Sequence, residues 1–255
     1  MITIPASLSL KQNKKAERLL GEAARKWIEV ETRVPGVHAT DLLDPRQAVY
    51  RILQPKPMAD RLVNIFLIGK VLHAFVLQTV DGISAVDIST TDAGSFSSEK
   101  LGITYSPDKI SGGLVRELKT SRSYTDPKSL EDVRIYVEQI LVYMAATETL
   151  TAELWVLFLN LRDPESGKLD PVFRGYTISI SDEDLAQLII ECRATRDTIL
   201  NAVEVGDPHL LPLCRDWKCN RKLCDWFDAC KPEGRYAPET VKVRAAKPRS
   251  RKGNS

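Results

Sequence analysis

The sequence predicts an α/β domain with a mixed central β-sheet flanked by helices, followed by a C-terminal cysteine module. Three observations carry that expectation. Strand-like stretches flank Ser111-Gly112-Gly113, a hairpin signal. The nearly continuous apolar run AELWVLFLNL at 152–161 suits a central strand buried on both faces. Helical periodicities at 129–149 and from Ser181 to about Val203 alternate with these strands. The order helices, hairpin, helix, strand, strand, helix is that of an α/β domain with a mixed sheet.

The elements follow in chain order. Ala16, Leu19, Leu20, Ala23, Ala24 and Trp27 fall at helical spacing within 10–32, and Pro35-Gly36 ends that helix. Thr40 is a candidate N-cap for a second, short helix through Ala48 and Tyr50. A third helix is expected over 58–80, with Leu62, Ile65, Phe66, Gly69, Leu72, His73 and Val76 on one stripe. Residues 82–98 are rich in Gly, Ser, Thr and Asp and read as irregular. LGITYSPDKI and LVRELKT are the hairpin strands. Val133, Val137, Ile140, Leu141 and Met144 form the buried stripe of the next helix. After the run at 152–161, residues 162–171 read as a polar loop and VFRGYTISI as an alternating strand. Ser181 caps the last long helix, with Asp182 and Glu183 favourably placed in its first turn. Cys192, within that helix, reads as a buried core thiol.

Length and charge narrow the function classes. A chain of 255 residues can bury one sizeable core with appendages. The net charge is +2, yet residues 241–255 alone carry +6, which leaves −4 for the rest. Such a basic, Pro- and Gly-containing tail is expected to be disordered, either as a phosphate-seeking arm or as a solubilising terminus. The sequence shows neither an apolar run of about 18 residues nor the charge-then-apolar order of a signal peptide. The expectation is therefore a cytoplasmic, intracellular protein with no membrane partner. In that compartment thiols stay reduced, so clustered cysteines argue for metal or cluster binding rather than disulfides.

The hairpin carries unusual charge. A two-residue turn at Gly112-Gly113 pairs Ser111 with Leu114, Ile110 with Val115, Lys109 with Arg116 and Asp108 with Glu117. Opposed residues share a face, and strand alternation adds Lys119 to the face of Glu117. Like charges set opposite one another destabilise a sheet, so two carboxylates there call for a compensating cation. Oxygen donors favour Mg²⁺ or Mn²⁺. Lys119 would then stand beside the ion, able to hold an anionic oxygen or orient water. The same charges would also suit a solvated strand face.

Pro107-Asp108, eight intervening residues, and Glu117-Leu118-Lys119 resemble the PD-(D/E)xK nuclease signature. Gly69-Lys70-Val71-Leu72-His73 resembles the GxxxH motif of RecB-like nucleases, and Gln139-Ile140-Leu141-Val142-Tyr143 their QxxxY motif. Cysteines close the chain, as in the CRISPR-associated iron–sulfur exonucleases. The resemblance spans about residues 37–231. It implies a restriction-endonuclease-like core at 37–205, a helical segment at 1–36, a cysteine cluster module at 206–236 and the basic tail at 237–255. It further implies a Mg²⁺- or Mn²⁺-dependent deoxyribonuclease, an exonuclease acting on DNA ends or single strands. Recombination, repair, spacer acquisition or phage DNA processing would be its settings, with protein partners in a DNA-processing complex. By the same resemblance His73, Asp108, Glu117 and the Leu118 carbonyl would bind metal, and Lys119 would be the catalytic lysine. Gln139 and Tyr143 would position the nucleic-acid backbone and the Glu-Leu-Lys strand. Charge alone adds Arg122 and Arg116 as phosphate contacts.

Cys214, Cys219, Cys224 and Cys230 lie within seventeen residues. Four thiolates can complete a [4Fe–4S] cluster or a tetrahedral Zn²⁺ site. In the resembling iron–sulfur exonucleases one distant N-terminal cysteine joins three C-terminal ones. Here the matching segment, Leu42-Leu43-Asp44-Pro45-Arg46, has Asp44 at that place. Cys214 is the favoured fourth ligand, because thiolate suits iron–sulfur ligation better than carboxylate. Asp44 and a zinc site remain the alternatives. Trp217, Trp226 and Phe227 are expected to pack around the cluster. The competing function is a non-catalytic nucleic-acid-binding or scaffold protein that retains the fold with a structural zinc or iron–sulfur site.

Overall fold

A computed structural model describes residues 22, 35–57, 63, 66–73, 95–123, 127, 130–162, 167–214, 219, 221 and 224–230. The helix expected at 10–32 lies outside these, apart from Glu22, which is helical. Most of 82–98, Trp217 and the basic tail also lie outside the described residues.

The first described elements are a 3₁₀ turn, Ala39–Asp41, and helix α1, Pro45–Leu53. The helix does not start at Thr40 as expected. Pro45 occupies its first turn, where a missing N–H costs nothing and the fixed φ is already helical, and Asp44 is the N-cap. Thr40 instead lies inside the 3₁₀ turn. Residues 66–73 are helical, within the span expected for the third helix. Of the expected stripe, Gly69, Leu72 and His73 are half-buried and Phe66 is 50% exposed; Leu67 and Lys70, outside it, are also half-buried, and Val63 is buried. A helix apolar on nearly every side gives periodicity little power to choose the face.

Two β-sheets follow. Strands β1 (Phe96–Ser98) and β2 (Ile103–Tyr105) form an antiparallel pair. The first of these replaces the irregular end expected for 82–98. It is stabilised by Ile103 and Tyr105 on β2, both buried, and by Phe96 stacked on Tyr105 at 5.6 Å. The main sheet has the order β3 (Lys109–Ser111), β4 (Leu114–Ser121), β5 (Thr151–Arg162) and β6 (Leu169–Ser179). The single strand expected over LGITYSPDKI is therefore two, β2 and β3, broken at 106–108. β6 also begins earlier than expected, within the anticipated polar loop.

The sheet is mixed, as anticipated. β3–β4 and β5–β6 are antiparallel, whereas β4–β5 is parallel. A parallel neighbour needs a crossover, and helix α2, Leu130–Thr147, supplies it. The α2 stripe lies on the sheet: Val133, Val137, Ile140 and Met144 are buried against Val115, Leu154 and Val156. β5 departs from expectation, because it is not buried on both faces throughout. Ala152, Leu154 and Val156 are buried, while Glu153 and Trp155 between them are half-buried. The helix-covered face is the dry one. Helix α3, Asp182–Val205, packs on α1 and α2 and contributes Leu185, Ile189, Cys192 and Ile199 to the core. Ser181 accepts from the Asp184 amide at 3.1 Å, which fixes its start as expected. No helix among the described residues is long and apolar enough to cross a membrane. A final short helix, α4, Phe227–Cys230, ends the described chain.

Candidate active site

The hairpin turn sets the site. Gly112 and Gly113 both have positive φ, 60° and 73°, the type I′ geometry that suits strand twist and that glycine adopts without steric cost. The register is the expected one: Ser111 faces Leu114, Ile110 faces Val115 and Lys109 faces Arg116. Asp108 stands one residue beyond the last ladder pair, across from Glu117. Its amide donates to Glu117 Oε2 at 3.2 Å, and the Leu118 amide donates back to Asp108 Oδ2 at 2.7 Å. Each carboxylate is thus held by a backbone N–H of the opposite chain.

Glu117 is 3% exposed and faces the α2 side of the sheet, like Val115 two residues before it. Its Oε1 accepts from Lys119 Nζ at 2.5 Å and from Gln139 Nε2 at 3.1 Å. Gln139 also donates to the Tyr143 hydroxyl at 2.7 Å, and that hydroxyl donates to the Ser106 carbonyl at 3.2 Å. Gln139 and Tyr143, one turn apart on α2, therefore brace β4 and the segment that leads into β3. His73 Nδ1 lies 3.1 Å from Asp108 Oδ1, so the helix some thirty-five positions earlier reaches the site. The structure brings together His73, Asp108, Glu117, Leu118, Lys119, Gln139 and Tyr143. It does not add Arg116, which alternates to the other face of β4, pairs with Glu153 at 2.8 Å and lies over the Trp155 ring. Arg122 is exposed just past the end of β4.

Burial dominates the electrostatics. It pushes the Glu117 carboxyl up to about 7; Asp108 adds to the rise and Lys119 opposes it. Burial alone would lower the Lys119 ammonium, but Glu117 and Asp108 together hold it above its ordinary value. Burial and the nearby Glu117 hold the Tyr143 phenol well above its ordinary range. Glu117 is thus a carboxyl short of positive charge, despite one lysine. Among the described residues, no three His, Cys, Asp or Glu side chains are arranged as the ligands of a metal ion. The donor chemistry nevertheless fits a hard divalent cation: two facing carboxylates, one of them desolvated, with an imidazole beside them.

The chain is similar to SSO0001 at 18% identity, covering 84% of this chain and 95% of that one, with a TM-score of 0.53. The likeness is one of fold. A phage-related exonuclease from Haemophilus somnus 129PT is similar at 13% identity, covering 68% and 97% of the two chains, with a TM-score of 0.42. The alkaline exonuclease LHK-Exo from Laribacter hongkongensis is similar at 15% identity, covering 67% and 91%, with a TM-score of 0.35. No family model and no curated protein matches the chain.

Cys214, Cys219 and Cys230 are buried and Cys224 is half-buried. Burial pushes the Cys214 thiol up to about 12, with Asp44, Cys224 and Cys219 adding to the rise. Burial also raises Cys224, and Cys219 and Cys230 contribute. Cys214 thus feels Cys219 and Cys224, and Cys224 feels Cys219 and Cys230, with buried Asp44 acting on Cys214. Four thiols within seventeen residues are the donor type of an iron–sulfur or zinc site, but among the described residues they are not arranged as the ligands of a metal ion. Trp226 is buried against Tyr50 and Cys230, as expected of an aromatic residue packing on the module.

Sequence reasoning missed the anchors of this module on α1. Arg46 Nε donates to the Leu211 carbonyl at 2.7 Å, and its Nη1 donates to Cys230 Sγ at 3.6 Å. The Tyr50 hydroxyl lies 3.3 Å from His209 Nε2, and Trp226 Nε1 donates to the Gln54 carbonyl at 3.0 Å. Arg46 and Tyr50 stand four apart, one helical turn, just after Asp44, and that spacing was the available signal. Cys192 is a buried core thiol of α3, as expected.

Proposed function

We propose that the protein is a metal-dependent deoxyribonuclease that hydrolyses phosphodiester bonds. The observation that carries this reading is the meeting of His73, Asp108, Glu117 and Lys119 around the hairpin, with Glu117 desolvated and short of cation. Asp108, Glu117, His73 and the Leu118 carbonyl would hold Mg²⁺ or Mn²⁺. When bound, such an ion polarises the phosphoryl oxygen and lowers the pKa of water. The chain's own residues supply the rest. Asp108 is aimed by the Leu118 amide, so its carboxylate is preset. Lys119, held beside Glu117, presents an ammonium where the attacked phosphate gains charge. Water would form a new P–O bond as it gives up a proton, the ester P–O bond would break, and the leaving oxygen would take up a proton, giving a phosphate monoester and an alcohol. Gln139 donates to Glu117 Oε1 and the Tyr143 hydroxyl to the Ser106 carbonyl, which would hold the carboxylate and the start of the hairpin in place.

The finer reading is an exonuclease working on DNA ends or single strands, within a larger DNA-processing complex. Solved structures similar in fold include a phage-related and an alkaline exonuclease, which makes end-directed cleavage the natural first assay. Exposed Arg122 and the basic tail would meet the phosphates. Cys214, Cys219, Cys224 and Cys230 would hold a structural [4Fe–4S] cluster, with zinc as the alternative. The experiment is degradation of end-labelled and of circular DNA, single- and double-stranded, with Mn²⁺ or Mg²⁺. Wild type should degrade the linear substrates and Lys119→Ala should not. Equal inactivity of both proteins on every substrate and metal would sink the enzyme reading in favour of a scaffold. Iron with a visible absorbance band in anaerobically purified protein supports the cluster, and zinc without iron reverses it.

A further inference from the structure

We propose that the outer face of the Phe96 ring is a stacking position for an unpaired nucleobase of the DNA strand held in the active site. The inference rests on the nuclease reading above and narrows its substrate to a strand end or a single strand. Phe96 opens β1 and is the ladder partner of Tyr105 on β2. The two rings stack, with centroids 5.6 Å apart and an interplanar angle of 29°. Tyr105 is buried, and its ring centroid lies 6.3 Å from that of Tyr143. The Tyr143 hydroxyl donates to the Ser106 carbonyl and accepts from Gln139, which also donates to Glu117. A line of contacts therefore runs from a surface ring to the buried carboxylate.

The ring is held from below and left open above. One face lies on Tyr105, yet Phe96 keeps 38% of its surface exposed, in a strand whose other two residues are serines. The platform beneath it is anchored on both sides. The Thr104 amide donates to the Val37 carbonyl at 2.9 Å, and all three residues of β2 are buried. Arg193 on α3 donates to the Lys100 carbonyl at 2.6 Å and so fixes the turn between β1 and β2. A flat partner can therefore settle on Phe96 without the hairpin having to reorganise. An aromatic ring serves any base, because every base has a π-face. Bases inside a duplex already stack on their neighbours and must be extruded to free a face, whereas a terminal or unpaired base offers one at little cost. The Ser95 hydroxyl, next to Phe96, lies 3.1 Å from that of Ser106, which directly precedes Pro107-Asp108. The stacked base would thus belong to a nucleotide near the cleaved phosphate.

The test uses the full chain as wild type, Phe96→Leu, Phe96→Trp and an exposed control, Arg134→Gln on α2. Substrates are end-labelled single-stranded oligonucleotides, either intact or with an abasic residue at each terminal position in turn, cleaved in Mn²⁺. The expected result is a KM raised about tenfold in Phe96→Leu on intact DNA, with Phe96→Trp and Arg134→Gln close to wild type. One abasic position should raise the wild-type KM by a similar factor and abolish the difference between wild type and Phe96→Leu. A purely structural loss of the Phe96–Tyr105 contact would instead weaken Phe96→Leu equally on intact and abasic DNA. That outcome, or an unchanged KM in Phe96→Leu, overturns the inference and leaves the nuclease reading standing. If Phe96→Leu fails to fold, wild type and Phe96→Trp decide: no abasic position that raises their KM overturns it equally. Wild type inactive on every substrate and metal overturns the nuclease reading, and this inference with it.

Discussion

Gln139 donates to the same Glu117 oxygen that accepts from Lys119, at 3.1 Å against 2.5 Å. The crossover helix therefore shares with β4 the task of holding one buried carboxylate. Loss of such an outer hydrogen bond at a metal-binding carboxylate costs about 10–100-fold in metal affinity or activity. Gln139→Met, similar in volume, should lose that much while leaving the fold intact by circular dichroism. A Mn²⁺ titration followed by cleavage of end-labelled DNA checks both quantities. Unchanged affinity and rate would remove Gln139 from the site.

Lys119→Met should be more severe. Removing one preorganised donor to a developing oxyanion costs about 10²–10³ in kcat. It should also push Glu117 further up, because Lys119 is what lowers it. Raising the pH should then restore metal binding to Lys119→Met but not its turnover. Recovery of turnover as well would mean that Lys119 serves only as a counter-ion.

Glu117 gives the metal-free protein a pH signature. Its folded-state value, about 7, lies above its ordinary 4.5, so the folded chain binds this proton more tightly than the unfolded chain. That contribution to stability is complete below the unfolded value and is lost as the pH rises through the folded one. Wild type should lose stability relative to Glu117→Gln between about pH 4.5 and about pH 7, and not beyond, by at most about 3 kcal/mol. Urea melts of both proteins in chelator, taken across that window, provide the check. Saturating Mn²⁺ should flatten the slope, since binding needs the deprotonated carboxylate. A pH-independent difference would refute the assignment.

The turn offers a test of register. A Cβ added at Gly113 meets no atom within 4 Å, so the cost of Gly113→Ala is backbone strain at φ 73° alone. An L-residue held left-handed costs roughly 1–2 kcal/mol. Gly112→Asn should be tolerated better, because asparagine adopts that conformation in such turns. Thermal melts rank the three proteins. Nuclease activity should follow the ranking, because slippage of the hairpin parts Asp108 from Glu117.

Local rules made much of this site legible. Gly112-Gly113 permits a two-residue hairpin, so the pairing of β3 with β4 can be counted off along the sequence. Strand alternation put Lys119 on the face of Glu117, and four-residue spacing put Gln139 beside Tyr143. Each depends on torsions within a few residues. Where two local signals competed, the choice was lost. Thr40 and Asp44 could both cap a helix, and Pro45 decided for the latter by fitting only a first turn. Along 66–73, Gly69, Leu72 and His73 are half-buried as their spacing indicates, and only Phe66 of the stripe is exposed.

The sequence by itself determined the hairpin register, the α/β order and the grouping of four thiols, because these follow from short-range backbone geometry and residue chemistry. Only the tertiary structure decided that His73 meets Asp108, that Gln139 reaches Glu117, and that Arg46 reaches Cys230 across some 180 residues. Those meetings depend on where the crossover helix lands on the sheet and how α1 packs beside the chain's far end. Burial of apolar faces sets such positions, and it leaves no fixed spacing in the sequence to read.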